Sequence, residues 1–270
     1  MPSTRPLAAI TGASAGIGAT FAHTLAARGY DLILIARRAE RMQALADELA
    51  KRHGAQSEVV VADLNAGADL ARVAGRLGAL PRLDLLVNNA GFGVKGQFAS
   101  SEYAGQEGMH LLHVMATLRL THAVLGGMVA RRSGAVINVA SVAGFLTSPG
   151  SVSYGASKSW INTFTEGIWM ELRGTGSPVR VQALCPGFTY SEFHDVARMD
   201  RKKLASKSWW YSAERVVEES LAGLERDQIF VIPGWRYRVL VGVTSQIPRW
   251  MRRKMLLAMA RRNGRMAAAK

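Results

Sequence analysis

Seven short apolar runs punctuate the chain: PLAAIT, DLILIA, SEVVVAD, LDLLVNNA, GAVINVAS, VRVQALCPG and IFVIPG, with helix-length amphipathic segments between them. Near-continuous apolar strands are buried on both faces, and strands joined through helices run parallel, because each crossover returns the chain to the same end of the sheet. The pattern predicts an α/β fold, a doubly wound parallel sheet with helices on both sides. No repeat, Pro-rich linker or low-complexity run divides the 270 residues. Residues 1–235 are read as one domain and residues 236–270 as a basic C-terminal extension.

The formal net charge of +14 is unevenly placed: residues 236–270 hold ten Lys or Arg and no acid follows Asp227. The first 235 residues carry 24 cations against 20 anions and show no helix-turn-helix pattern or aromatic-basic face, so nucleic acid is not an expected partner. No run approaches the roughly 18 consecutive apolar residues of a membrane span. MPSTRP leads straight into a strand and a glycine loop without a signal-peptide pattern, and Cys185 has no second cysteine to pair with. The expected location is the cytoplasm.

In a doubly wound sheet, ligands bind beyond the carboxyl ends of the strands. After the first strand comes Thr11-Gly12-Ala13-Ser14-Ala15-Gly16-Ile17-Gly18, where glycines allow a tight turn and bring a pyrophosphate against the main chain and the first N–H groups of a helix. The second strand ends in Ala36, Arg37 and Arg38, where an NAD site would place an acid for the ribose 2′-hydroxyl. A guanidinium suits a 2′-phosphate, so NADP is the expected cofactor. Asp63, at the end of the third strand, is placed to accept from the adenine amino group.

Tyr154 and Lys158 stand four apart in SVSYGASKSWINTF and share one helical face, while Ser141 follows the preceding strand. A phenol of pKa ~10 is a poor acid at neutral pH, but a neighbouring ammonium stabilises the phenolate and makes it a proton donor for a carbonyl. In HLLHVMATLRLTHAVL, His110, His113, Thr117 and Thr121 share a face of an apolar helix. With no HExxH or CxxC and no third ligand, these histidines predict hydrogen-bonded packing, and no metal is expected.

From residue 7 to about 235 the chain resembles the short-chain dehydrogenase/reductase superfamily: the glycine loop, Asp63-Leu64, Asn88-Asn89-Ala90-Gly91, Ser141, Tyr154-x-x-x-Lys158 and Pro186-Gly187 recur in order on the predicted strand ends. The resemblance implies a Rossmann-type domain that moves a hydride between a nicotinamide and a carbonyl or alcohol carbon. Tyr154 would be the general acid, Ser141 would hydrogen-bond the carbonyl oxygen, and Lys158 would hold the nicotinamide ribose. Gly12, Ser14, Gly16, Ile17 and Gly18 would face the pyrophosphate, and Leu64, Asn89, Ala90 and Gly91 the adenosine side. Pro186, Gly187, Thr189 and Ser191 would cover the nicotinamide, with Ser191 standing where the family often has a Thr. His113, eight residues before Thr121, replaces the family's fourth catalytic residue, an Asn that acts largely through its main-chain carbonyl at a local helix distortion.

Residues 188–212, rich in Phe188, Tyr190, Phe193, Trp209, Trp210 and Tyr211, are the expected substrate lid and suit an apolar or ring-bearing ketone or aldehyde. Within the superfamily the layout is similar to broad ketone reductases and, more distantly, to 3-oxoacyl and hydroxysteroid reductases. A non-catalytic NADP-binding sensor or scaffold, its relay broken at His113, is the rival from another class. The helices near 107–131 and 154–172 are surfaces through which relatives form oligomers, so a homotetramer or dimer is expected. The tail RWMRRKMLLAMARRNGR has an imperfect amphipathic stripe through Met251, Met255 and Met259 and adds a peripheral membrane surface to the candidate partners.

Overall fold

Leu32 and Leu34 point to one side of the second strand and Ile33 and Ile35 to the other, and all four are buried. That double burial is what a strand between two helical layers requires. The computed structural model describes residues 5–94, 96–146, 149–191 and 206–262. The expected lid residue Phe193, the rest of 192–205 and the tail 263–270 lie outside the described residues.

The elements follow the predicted alternation: β1 (Leu7–Thr11), α1 (Gly16–Ala27), β2 (Asp31–Ala36), α2 (Ala39–His53), β3 (Ser57–Val61), α3 (Gly67–Gly78) and β4 (Leu85–Asn88). A long helical rod follows, α4 (Tyr103–His110), a widened π turn (Leu111–Ala116) and α5 (Thr117–Ala130). Then come β5 (Ala135–Val139), α6 (Val152–Gly174), β6 (Arg180–Leu184), α7 (Ala213–Glu225), β7 (Phe230–Val231), α8 (Trp235–Gln246) and α9 (Arg249–Arg262). Among the described residues the seven strands are all parallel, in the order β3-β2-β1-β4-β5-β6-β7. The order reverses between β1 and β4, which opens a crevice at their carboxyl ends.

One core packs α1, α2 and α7 on the sheet through Phe21, Leu25, Met42, Leu49, Val217 and Leu221. The other packs α3, α5 and α6 through Leu70, Val73, Leu120, Val124, Ile168 and Leu172. Between Asn88 and Asn138, on neighbouring strands, runs a buried polar chain: the Asn88 amide donates to Thr121 Oγ1 and Asn138 Oδ1, and the Asn138 amide to Thr165 Oγ1. These bonds tie β4 and β5 to the helices that bring His113 and Lys158 to the crevice.

By length and composition the rod Tyr103–Ala130 would reach across a bilayer, which the sequence did not suggest because His110, His113 and Arg119 interrupt its apolar run. In the fold it is a layer helix, with Met109, Ala116, Leu120, Val124 and Met128 buried. The boundary drawn at residue 235 falls where α8 begins, and Tyr237, Val241 and Thr244 of that helix are buried against the domain.

Candidate active site

The glycine loop is folded around Asn89. Thr11 Oγ1 accepts the N–H groups of Asn89 (2.9 Å) and Ala90 (3.0 Å), and the Asn89 amide donates to Thr11 O at 2.8 Å and Gly12 O at 3.3 Å. Asn89 therefore braces the loop from the neighbouring strand. Gly12 sits at φ +67°, and a Cβ there would lie 2.8 Å from Asn89 Nδ2, so both conformation and space demand glycine. A Cβ on Gly18 would strike Gly12 O. Helix α1 starts from Ala15 with no side-chain cap and no acid in its first turn. Its leading N–H groups thus present an electropositive end to the crevice. Ser191, at the end of the 187–191 segment, closes over the loop: a Cβ on Gly16 would lie 2.9 Å from Ser191 Cβ.

Arg37 and Arg38 leave β2 beside this loop. Arg38 Nε donates to Ser14 Oγ at 3.1 Å, and Arg37 Nη1 lies 3.8 Å from Asp63 Oδ2 with most of its side chain exposed. Asp63 also accepts from Asn65 N, and Leu64 behind it is buried. These donors, with the uncapped helix end, fit the pyrophosphate and 2′-phosphate of NADP.

Across the crevice, Ser141 caps the turn Val142–Gly144, its hydroxyl accepting from Ala143 N at 3.1 Å and reaching Pro186 O at 3.3 Å. The Ser141 side chain lies near enough to the Tyr154 hydroxyl to work toward lowering its pKa. One turn along α6, Lys158 is buried, donates to Val139 O at 2.7 Å and has its Nζ 5.8 Å from the Tyr154 ring centre. Burial pushes the Tyr154 phenol up to about 12, a pull that Ser141 opposes. Burial likewise brings Lys158 down to about 7. Both shifts favour the neutral forms, so the sequence expectation that Lys158 lowers Tyr154 holds only when the ammonium is present. A unit charge about 6 Å away at an effective dielectric of ~20 is worth ~3 kcal/mol, about a hundredfold in proton affinity.

His113 lies in the π turn, wholly buried, at the local helix distortion the resemblance implied. Its Nδ1 is 2.9 Å from Ser157 Oγ, and that hydroxyl donates its one proton to Tyr154 O at 2.9 Å. Ser157 therefore accepts from His113, which fixes the Nδ1–H tautomer. Among the described residues Nε2 has no hydrogen-bond partner, and it sits against Gly91, where a Cβ would come within 2.7 Å of it. Burial, with the charges of Lys158 and His110 adding, holds the ring well below the ordinary imidazole pKa. The imidazole also meets the Tyr154 ring edge-on at 5.8 Å.

After Pro186, Gly187 lies flat on the Tyr237 ring, and the Tyr237 hydroxyl accepts from Phe188 N (2.9 Å) and donates to Trp209 O (2.8 Å). The two ends of the expected lid are joined by a bridge between Thr189 and Tyr211 and by Tyr211 N donating to Phe188 O. Trp210 stacks on Phe188 at 5.3 Å and meets Tyr190 at 5.1 Å. Much of the aromatic content of this segment is thus spent on its own base.

Among the described residues, the glycine loop, Arg37, Arg38, Asp63, Asn89 and Ser141 lie at strand ends, and His113, Tyr154 and Lys158 on the helical segments packed beside them. Thr11, which opens the loop in the sequence, gains a bracing role here, and Ser157 and Tyr237 join the site without any mark in the sequence. Thr11 ends a strand, whereas Ser157 and Tyr237 act through partners distant in the chain.

The short chain dehydrogenase family model matches residues 6–202. A sulfoacetaldehyde reductase from Chromohalobacter salexigens is 34% identical over 231 residues, 83% of this chain and 86% of the relative. A short-chain dehydrogenase from Sphingobium yanoikuyae, solved in complex with NADPH, superposes with a TM-score of 0.81 at 36% identity, covering 90% of this chain and 97% of the other. The bulky-bulky ketone specific alcohol dehydrogenase from Comamonas testosteroni gives 0.77 at 31% identity, over 92% of this chain and 96% of the other.

Proposed function

The chain belongs to the short-chain dehydrogenases, oxidoreductases that use NAD(P), and from that premise we propose that it reduces an apolar or aromatic ketone or aldehyde with NADPH. The observation that carries this reading is that buried Lys158 stands 5.8 Å from the centre of the Tyr154 ring, with Ser141 on the turn that follows β5 acting on the same phenol. Ser141 holds the carbonyl oxygen. Tyr154, kept protonated by its raised pKa, donates the proton that oxygen needs as the carbonyl carbon becomes an alcohol carbon. NADPH supplies the hydride that this carbon accepts. Lys158 in its charged form stabilises the resulting phenolate. Arg37 and Arg38 hold the 2′-phosphate, and the α1 end with Gly12, Ser14, Gly16, Ile17 and Gly18 holds the pyrophosphate.

Preference for a bulky carbonyl compound is supported by the aromatic base of Phe188, Tyr190 and Trp210, and by likeness to the Comamonas enzyme, which acts on ketones of that kind. Intact Ser141, Tyr154 and Lys158 favour catalysis over a sensor or scaffold. Loss of NADPH absorbance with a panel of aromatic, steroid, acyl and small charged carbonyl compounds tests the reading. Turnover of the aromatic or steroid ketones is expected; turnover confined to charged aldehydes refutes the substrate class, and no turnover refutes the enzyme.

A further inference from the structure

Helix α8 (Trp235–Gln246) is apolar on two opposite faces. Tyr237, Val241 and Thr244 are buried against the domain. Trp235, Val239 and Val243, at steps of four, are 60%, 54% and 57% exposed. At 100° per residue the two rows lie nearly opposite each other, and Arg236 and Arg238 fall on the two shoulders of the outer row. Helix α9 extends the surface with exposed Trp250, Met251, Met255 and Leu257, and its positions 252–254 are Arg, Arg and Lys. The domain covers the inner row and leaves the outer apolar row for another partner to cover.

The chemistry around the outer row says what covers it. No acid occurs after Asp227, against ten Lys or Arg in residues 236–270. Among the described residues, Glu219 of α7 is the acid that reaches this surface, 4.0 Å from Arg238. Arg236 lies against the Trp235 ring at 5.5 Å and donates to Ser208 O. A two-fold contact with a second copy would set the same cations against one another, which works against association. Nucleic acid would answer the charge but not the aliphatic Val239, Val243, Met251 and Leu257, which offer no platform for a base. An anionic bilayer answers both, with tryptophans at the interface and arginine stems lying along apolar surface.

We propose that the outer face of α8, continued by α9, docks the protein on an anionic lipid bilayer. Tyr237, on the inner face of the same helix, holds Phe188 N and Trp209 O. Docking therefore sets the aromatic base of the lid one helix diameter from the membrane. The inference concerns binding and does not depend on which carbonyl compound is reduced.

Flotation of the full chain with neutral phosphatidylcholine vesicles and with vesicles containing about 30% phosphatidylglycerol tests it, at low salt and at ~0.5 M salt, where screening shortens to a few ångströms. At least tenfold more protein should float with the anionic vesicles, and salt should release it. Val239→Glu with Val243→Glu should abolish flotation while leaving the melting temperature and solution mass unchanged. Arg252→Glu, Arg253→Glu and Lys254→Glu together should weaken it about a hundredfold, at roughly fivefold per cation. Equal recovery on neutral and anionic vesicles, or full flotation of the double valine variant, overturns the proposal. A halved mass of that variant by light scattering would make the face a contact between copies, and tighter binding to duplex DNA than to vesicles would make it a nucleic-acid surface; either result overturns it too.

Discussion

Replacing Lys158 with Met removes the ammonium but keeps an unbranched side chain of similar size, and the consequence is legible in the pH dependence of stability. Burial lowers the folded-state value to about 7, against an ordinary value of 10.5. Below pH 7 the ammonium is charged in both states, and the folded protein carries the whole desolvation cost. As pH rises from 7 toward 10.5 the folded state releases its proton while the unfolded chain retains it. Stability then rises by up to ~1.4 kcal/mol per pH unit. Between pH 7 and 8.5 the gain is about 1.5 kcal/mol. Tyr154 and Cys185, whose pKa values burial raises, act with the opposite sign as their unfolded forms ionise at higher pH, and both remain in the variant. The assay is urea unfolding of the ligand-free protein at pH 7.0 and 8.5, at one protein concentration. The unaltered protein should gain about 1.5 kcal/mol more than Lys158→Met over that interval. Parallel pH dependences would show that Lys158 is not neutralised by folding and would remove the argument for its shifted charge state.

Tyr154→Phe should keep NADPH binding, measured by fluorescence titration, and lower turnover by ~10² or more, the cost of a lost general acid; retention of a tenth of the rate in a step shown to be chemical refutes the role. Arg37→Glu should raise the KM for NADPH ~10- to 100-fold through loss of a charge-assisted contact, and equal efficiency with NADH and NADPH before substitution would refute the 2′-phosphate site. His113→Asn should leave the rate within about tenfold and the pH profile governed by Tyr154 and Lys158; collapse of the rate, or loss of an ionisation near neutrality, would make the imidazole a working proton carrier. Exposed Leu111, Met115, Leu118 and Met170 on the π turn, α5 and α6 lead us to expect a homotetramer, which a monomeric mass by light scattering at micromolar concentration would exclude.

The central strands were legible because they carry short apolar runs that a sheet covered on both faces accommodates, and Leu32 to Ile35 show the covering from both sides. The candidate residues were legible because a parallel sheet puts its strand ends on one side, so a glycine loop, two arginines and a serine far apart in the chain had one place to meet. The π turn was different. Its six residues keep the apolar character of the helices around them, and one extra residue per turn leaves no mark on a hydrophobic pattern. Tyr237 was assigned to the extension because Arg residues surround it, whereas its partner is the flat face of Gly187, fifty residues earlier. A missing side chain that makes room for a distant ring cannot be read from either position alone.

The two basic side chains beside Tyr154 are given opposite tasks by their hydrogen bonds. Lys158 and His113 stand at similar range from the phenol ring, 5.8 Å from Nζ to its centre in one case and 5.8 Å between ring centres in the other. A charge on either would draw Tyr154 toward its ionised form by a comparable ~3 kcal/mol at an effective dielectric of ~20. Two charges there would repel each other, so the site has room for one. Lys158 keeps a carbonyl acceptor, Val139 O, for its ammonium and retains a proton to about neutral pH. His113 is bonded through Nδ1–H to Ser157 and turns Nε2 toward Gly91, where none of the described residues receives a second proton, and burial takes its pKa well below the ordinary value. The neutral imidazole thereby leaves the single charge to Lys158. Through Ser157 it also fastens the backbone carbonyl of Tyr154 itself. We propose that His113 acts on the reaction by holding Tyr154 in place and by remaining uncharged.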